Sequence, residues 1–312
     1  MVGRKLTQRL ITEKALPVSD LTLFDIVSPA KVEPDKEFRG NIKYLEGNFG
    51  DAGVIKKLAE LEADLIFHLA AVVSGDAERN FEKGMDNNLH ANIAFFEALR
   101  KKGKKSKIIF TSSIAVFGAP FPDKIDDEFL CAPMTSYGAQ KGMTELLLSD
   151  YSRKGFLDGI SIRLPTVCVR PGKPNLAASG FFSGIIREPL SGKEAILPVE
   201  ESVRHWFASP KSAVDFLIHA ARLDSAKLEN RRAINMPGVS LTVAEQIEEL
   251  RKFAGNDVVK KIKKKIDPEI VAIVKNWPEN FAPERAIKLG FRADKDFGEI
   301  IRYFAEHDLH PN

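Results

Sequence analysis

Short apolar runs alternate with helical stretches between residues 20 and 165, and this alternation leaves few folds open. "DLTLFDIV" (20–27), "IKYLEG" (42–47), "ADLIFHLAA" (63–71), "KIIFTSS" (107–113) and "GISIRLP" (159–165) read as strands. Between them "GVIKKLAEL" reads as a helix, as do a long stretch over about 78–102 and another over about 136–154. Strands that are apolar nearly throughout are covered on both faces, and a helix between successive strands makes them parallel. The expectation is an α/β fold with a doubly wound parallel sheet. Ligands of such sheets sit at the C-terminal ends of the strands.

After residue 165 the rhythm breaks. "RPGKPNLAASGFF" is rich in Gly, Pro and Ser, and the later pieces are shorter: "EAILPV", "RHWFAS", a helix over 211–222, "RAINMPG", a helix over 243–253 and a last helix over 296–307. The chain therefore divides into a sheet domain over 1–165 and a smaller, discontinuous C-terminal lobe over 166–312. Residues 204–236 are expected to pack back onto the first domain, and ligands to sit in the cleft between the two.

At 312 residues the chain can bury a large core. The net charge of +3 is too small to imply a polyanionic partner, and "KKIKKK" (260–265) reads as a solvated face, so no nucleic acid is expected. No apolar run approaches the roughly 20 residues of a membrane span, so no membrane partner is expected either. The two cysteines, Cys131 and Cys168, suit a reducing, cytoplasmic compartment rather than a disulfide framework. No H-E-x-x-H or paired Cys/His spacing is present, so no metal is expected.

Tyr137 and Lys141 are four residues apart on an expected helix and share a face. Upstream, "FTSSIAVFG" ends a strand in Ser112-Ser113 and enters a Gly-punctuated loop. A tyrosine is a poor base at neutral pH, but a nearby ammonium favours its phenolate. A serine hydroxyl beside it can hold a substrate oxygen. Ser113, Tyr137 and Lys141 thus form a set able to remove the proton of an alcohol while its hydride leaves for a cofactor. Ser112 is expected to be a backbone-bonded neighbour of Ser113.

This set, on a strand–helix dinucleotide fold, resembles the short-chain dehydrogenase/reductase family, and the length with the C-terminal lobe resembles its extended branch, the NAD-dependent epimerases and dehydratases. The resemblance implies a Rossmann-like NAD-binding domain and NAD as cofactor. "FHLAAVVSG" resembles the branch's strand-4 signature, which implies that Leu69, Ala70 and Ala71 border the cofactor. "GNFGD" resembles the segment whose acid, Asp51, reaches the adenine. In "DNNLHANIAFFEAL", Asn88 supports the site. In "RLPTVCVRPG", Pro165 and Val167 flank the nicotinamide. Asp25, at the tip of the strand after the glycine turn, is placed to bind the adenosine ribose and repel a 2′-phosphate, which favours NAD over NADP.

"MVGRKLTQRL" resembles the end of a G-x-x-G-x-x-G turn and the start of its helix, with Gly3 as the third glycine, which permits close helix–strand packing. The expectation is of a preceding strand and two glycines absent from the sequence as written, with low stability and weak NAD binding in consequence.

The long match in "RLPTVCVRPGKPNLAASGFFSGIIREPLSG" resembles the group that oxidises four-carbon 2-hydroxy acids such as D-erythronate. Thr166-Val167-Cys168-Val169 stands where sugar-nucleotide enzymes place Asn-Val-Tyr-Gly, and Phe117 replaces their usual tyrosine. Arg170, Lys173, Arg187 and Arg204 offer cations for a substrate carboxylate, while Asn175 and Ser179 offer polar groups for its hydroxyls. His205 and His68 read as packed, structural histidines. Two rivals stay open: an NAD-dependent sugar or nucleotide-sugar 4-epimerase with the same residues, and a non-catalytic relative. By analogy with the branch, the helices near 78–102 and 136–154 imply a homodimer.

Overall fold

In the computed structural model, residues 1–34, 38–172 and 178–309 are described. The expected strands are present and parallel. Strands β3 (Leu65–His68), β4 (Lys107–Ser113), β5 (Asp158–Leu164) and β9 (Ala233–Asn235) form one sheet in the order β3-β4-β5-β9, while β1 (Asp20–Asp25) and β2 (Asn41–Glu46) pair as a separate sheet. Among the described residues, β1 and β3 each have a single strand partner.

Side chains alternate across each strand, so β4 feeds two cores. Ile109 packs with Ile160 and Ile162 against Leu6 and Leu10 of α1 (Val2–Ile11) and Leu217 of α8 (Pro210–Arg222). Ile108 and Phe110 pack on the other face, with Ile55 of α2 (Ala52–Glu60), Phe96 of α5 (Ala91–Lys102) and Leu148 of α6 (Ser136–Arg153). Both faces of the sheet are thereby covered by helices.

The long helix expected over 78–102 is instead three helices and a π turn. Helix α3 (Ser74–Arg79) ends at Asn80, whose backbone leaves the helical region (φ −129°, ψ 85°). The Asn80 side chain then caps α4 (Phe81–Met85) by accepting from Lys83 N at 3.1 Å. An asparagine can satisfy backbone donors locally, so it competes with a continuous helix. Residues Asp86–His90 form a π turn leading into α5.

In the lobe, β6 (Thr166–Val167) runs parallel to β8 (Arg204–Ala208), which pairs antiparallel with β10 (Val239–Thr242). A second pair joins β7 (Ala195–Leu197) to β11 (Ile262–Lys264). Helices α7 (Gly180–Leu190), α9 (Val243–Ala254) and α13 (Phe297–His307) enclose a core with Phe182, Phe207, Leu250 and Phe304. Short helices α10 (Asn256–Val259), α11 (Pro268–Val274) and α12 (Glu284–Lys288) complete it. Within 204–236, β8 belongs to the lobe sheet, whereas α8 and β9 join the main sheet and its core. In the basic run, Lys260, Lys263 and Lys264 pair with Asp257, Glu194 and Glu200.

Candidate active site

The C-terminal end of β4 delivers Ser113, and the first turn of α6 delivers Tyr137. Thr135 caps α6 by accepting from Gly138 N at 3.1 Å. Gly138 lies against the backbone after β4: a Cβ there would stand 2.0 Å from the Ala115 carbonyl oxygen. Only a residue without a side chain lets the helix start this close to the strand end. Ser113 Oγ accepts from Ala115 N at 3.1 Å, and the Ser113 hydroxyl is close enough to the Tyr137 phenol to favour its phenolate.

One turn along α6, Lys141 is buried. Its Nζ donates to the Thr111 carbonyl at 2.8 Å and lies 4.5 Å from the Phe110 ring centre and 5.6 Å from that of Tyr137. Burial lowers its pKa to about 7, with the Glu145 carboxylate opposing the shift. Burial pushes the Tyr137 phenol up to about 12, opposed by the charge of Arg170 and the Ser113 hydroxyl. Arg170 is thus one cation that favours the phenolate, and the Lys141 ammonium is a second positive group close to the same ring.

Arg170 is anchored by its own surroundings. Its Nε donates to the Val167 carbonyl at 3.0 Å and its Nη2 to Ser179 Oγ at 2.5 Å. Arg187 Nη1 donates to the Arg170 carbonyl at 2.7 Å, while its Nε and Nη2 form a fork on Glu188. Arg187 thus braces Arg170, its own charge already paired. Arg204 is bound to Ser240 and to Glu245, the residue that closes the capping box of α9. Of the expected substrate residues, Arg170, Arg187 and Ser179 form one group; Arg204 is engaged elsewhere, and Lys173 and Asn175 lie outside the described residues. His205 is buried beside them. Its Nε2 hydrogen-bonds Thr166 Oγ1 at 2.6 Å, its ring stacks on Phe182 at 5.1 Å, and Trp277 stands 5.2 Å away.

Most of the residues expected to hold a cofactor lie at or beyond the C-terminal ends of parallel strands of two separate sheets. Asp25 ends β1, and its exposed carboxylate accepts from the amide of Ile26. Asp51 is exposed at the N-cap of α2. Leu69 packs against the core, whereas Ala70 and Ala71 are exposed just past β3. Pro165 is buried at the end of β5, followed by the half-buried Val167. At Gly3 a Cβ would meet Leu69 Cδ2 at 3.9 Å, an ordinary contact, so packing against β3 leaves room for a side chain there. Asn88 bonds the chain next to Ala71. Its amide clamps the backbone of Val72, accepting from Val72 N at 2.8 Å and donating to Val72 O at 3.0 Å and to Gln140 Oε1 at 2.8 Å. It shapes the loop after β3. An exposed acid, two small exposed residues and a buried ammonium, at or beyond the C-terminal ends of parallel strands, fit a dinucleotide in an extended pose.

Two groups were not read as site residues from the sequence. His68 is buried, bonded to Asn92 and ringed by Phe49, Phe95 and Phe110; burial and the charge of Lys141 lower its pKa to about 4, so it is neutral at neutral pH. Glu145 is buried on α6 in a fork from Arg163 of β5, with Nε at 3.0 Å from Oε1 and Nη2 at 2.7 Å from Oε2. Glu145 lies four residues after Lys141, a spacing that could have been read as a second charge on the same face.

A cavity of about 460 Å³ lies elsewhere, between α1, α8 and the 290–294 segment. Ion pairs of Arg9 and Lys211 with Asp215 cross it, and no residue of the Ser113–Tyr137–Lys141 set lines it. Among the described residues, no cluster of His, Cys, Asp or Glu could hold a metal ion, and no helix is long and apolar enough to cross a membrane.

This fold and site define a member of the extended Rossmann-type enzymes, and the chain belongs to the NAD dependent epimerase/dehydratase family, whose profile matches residues 1–235. It is 44% identical to the D-erythronate dehydrogenase of Cupriavidus necator over 289 residues, 93% of this chain and 88% of that protein. It is 41% identical to the D-erythronate dehydrogenase of Haemophilus influenzae over 311 residues, 99% of this chain and 96% of that protein. A crystal structure described as a nucleoside-diphosphate-sugar epimerase from Agrobacterium tumefaciens is 52% identical and superposes with a TM-score of 0.93, covering 99% of this chain and 91% of that one.

Proposed function

We propose that the chain is an NAD-dependent dehydrogenase that oxidises a small polyhydroxy 2-hydroxy acid such as D-erythronate. The observation that carries this reading is the position of Arg170, whose guanidinium acts on the Tyr137 phenol and is held by Val167, Ser179 and, through its backbone, Arg187. A cation fixed beside the base suits a carboxylate one carbon from the reacting alcohol. NAD supplies the hydride acceptor when bound. Tyr137, as phenolate, takes the proton of the substrate hydroxyl. Ser113 donates a hydrogen bond to the same oxygen and holds it against the phenol. Lys141 supplies positive charge under the phenol ring and a hydrogen-bonding head toward the nicotinamide ribose. Asp25 takes the ribose hydroxyls of adenosine, its charge disfavouring the 2′-phosphate of NADP, and Asp51, Ala70, Ala71, Pro165 and Val167 border the remainder.

The near-full-length similarity to two D-erythronate dehydrogenases supports the acid. The description of the Agrobacterium structure favours a second reading, a nucleotide-sugar epimerase. Thr166-Val167-Cys168-Val169 after β5 speaks against it. A panel of aldonic acids with NAD, read by NADH formation, separates the two. Accumulating NADH with erythronate is expected; epimerisation of a nucleotide-sugar without free NADH would overturn the reading. The exposed apolar side chains of Ile93 on α5 and of Met143 and Leu146 on α6 support a homodimer in which these helices pair. Light scattering on the purified protein tests it.

A further inference from the structure

Lys141 interacts with groups from several elements. On α6 these are Tyr137 and Glu145. From β4 come the Phe110 ring and the Thr111 carbonyl, and from β3 the neutral His68. The charge of Arg170 acts on Tyr137. Of these, only Glu145 is negative. It is itself buried, which is costly for a carboxylate without a partner. The partner is Arg163. In the β4–β5 ladder Arg163 lies opposite Ser112, one residue past Thr111, whose carbonyl anchors the Lys141 ammonium. Arg163 also donates to Asn235 at 3.2 Å and to Cys131 at 3.1 Å and lies over the Phe117 ring. The arginine is thus fixed from several sides, and it fixes the carboxylate one helical turn from the lysine.

We propose that Glu145, held by Arg163, is a positioning residue of the reaction that keeps the buried Lys141 ammonium charged. Its catalytic consequence rests on the dehydrogenase reading above; its effect on Lys141 does not. Burial lowers the affinity of Lys141 for its proton, and Glu145 is the charged group opposing that loss. Without it the lysine would be neutral at working pH, and Tyr137 would lose a positive charge that favours its phenolate.

The test reads Lys141 directly. Lysine labelled with carbon-13 at Cε is followed by NMR against pH, with Lys141 assigned from Lys141→Met. Glu145→Gln should move the Lys141 midpoint down by about one pH unit or more, and Glu145→Asp should leave it near the parent value. Since Glu145→Gln leaves Arg163 unpaired and can unfold the chain, the paired variant Glu145→Gln/Arg163→Gln is measured alongside. It should melt near the parent yet keep the lowered midpoint. A parental midpoint in the folded paired variant would overturn the proposal, whatever the substrate proves to be. With a substrate in hand, the pH profile of kcat should lose turnover at neutral pH in Glu145→Gln and recover it in Glu145→Asp. Failure of every aldonic acid with the parent chain would count against the dehydrogenase reading and leave the NMR result standing.

Discussion

Arg187 holds Arg170 by donating from Nη1 to the Arg170 backbone carbonyl at 2.7 Å, so two arginines adjacent in space have unequal roles. Arg187 spends its remaining donors on Glu188. Among the described residues of this group, Arg170 is the arginine with no carboxylate partner. Arg170→Gln should therefore raise KM for the hydroxy acid by about 10- to 100-fold, the scale of a charge-assisted hydrogen bond of about 1.5–3 kcal/mol, with KM for NAD little changed. Arg187→Gln should have a smaller effect on the same parameter. Steady-state kinetics with each substrate varied in turn checks both.

Tyr137→Phe should retain NAD binding and lower kcat by at least ~10²-fold, as expected for a missing general base. Calorimetric titration with NAD and single-turnover rates separate the two effects. Near-parental turnover would remove Tyr137 from the chemistry.

Asp25 stands exposed at the tip of β1. Asp25→Ser should improve use of NADP relative to NAD, since the charge that repels a 2′-phosphate is gone. The ratio of kcat/KM for the two cofactors measures it. A parent chain that already prefers NADP would place Asp25 away from the ribose.

Gly138 sits where a Cβ would meet backbone, the Ala115 carbonyl oxygen at 2.0 Å. Neither partner is a flexible side chain, so Gly138→Ala must shift the start of α6. It should destabilise the fold by about 1–3 kcal/mol and depress turnover through Tyr137. Chemical denaturation read by circular dichroism gives the first quantity, and kcat the second.

Lys141 also links stability to pH. Its folded pKa of about 7 lies below the model-compound value of 10.5, so between these values the unfolded chain binds more protons than the folded one. This contribution makes stability rise with pH from about 7 to about 10.5, with the full penalty present below about 7. Lys141→Met should thus melt higher than the parent at pH 6, and the gap should narrow as pH rises toward 10. A gap independent of pH would show that Lys141 holds its proton as firmly in the folded chain as in the unfolded one, so that burial does not lower its pKa.

Much of this was legible in the chain itself. The strand "KIIFTSS" ends at Ser113 in the structure as in the sequence, with burial running past the apolar residues through Thr111 and Ser112 and easing at Ser113. The helix over 136–153 was equally clear from its length and its turn residues. The break at Asn80 was not, since the hydrophobic spacing continues through it while a single side-chain cap redirects the backbone. Helix α7 was hidden by the Gly, Pro and Ser around it, although its buried face, Phe182, Ile185 and Ile186, follows helical spacing. The arginines were the hardest to sort. Arg170, Arg187 and Arg204 look alike in sequence, and only their partners, a hydroxyl with a carbonyl, Glu188, and Glu245 with Ser240, separate a residue free to meet a substrate from two already engaged.

Asp25 stands on the two-stranded β1–β2 sheet, whereas Ser113 and the strands supporting Lys141 stand on the four-stranded one. Among the described residues these sheets share no ladder; they meet through side chains, such as Leu21 and Ile109 in the cluster that includes Leu6 and Leu10. Units joined only by such packing can open separately, at a free energy below that of global unfolding. A ligand long enough to touch both Asp25 and Ser113 binds only when they are docked, so its binding energy adds to the docking equilibrium. Cofactor occupancy and the cooperativity of unfolding should then be linked in this chain: saturating dinucleotide is expected to make the two units melt as one.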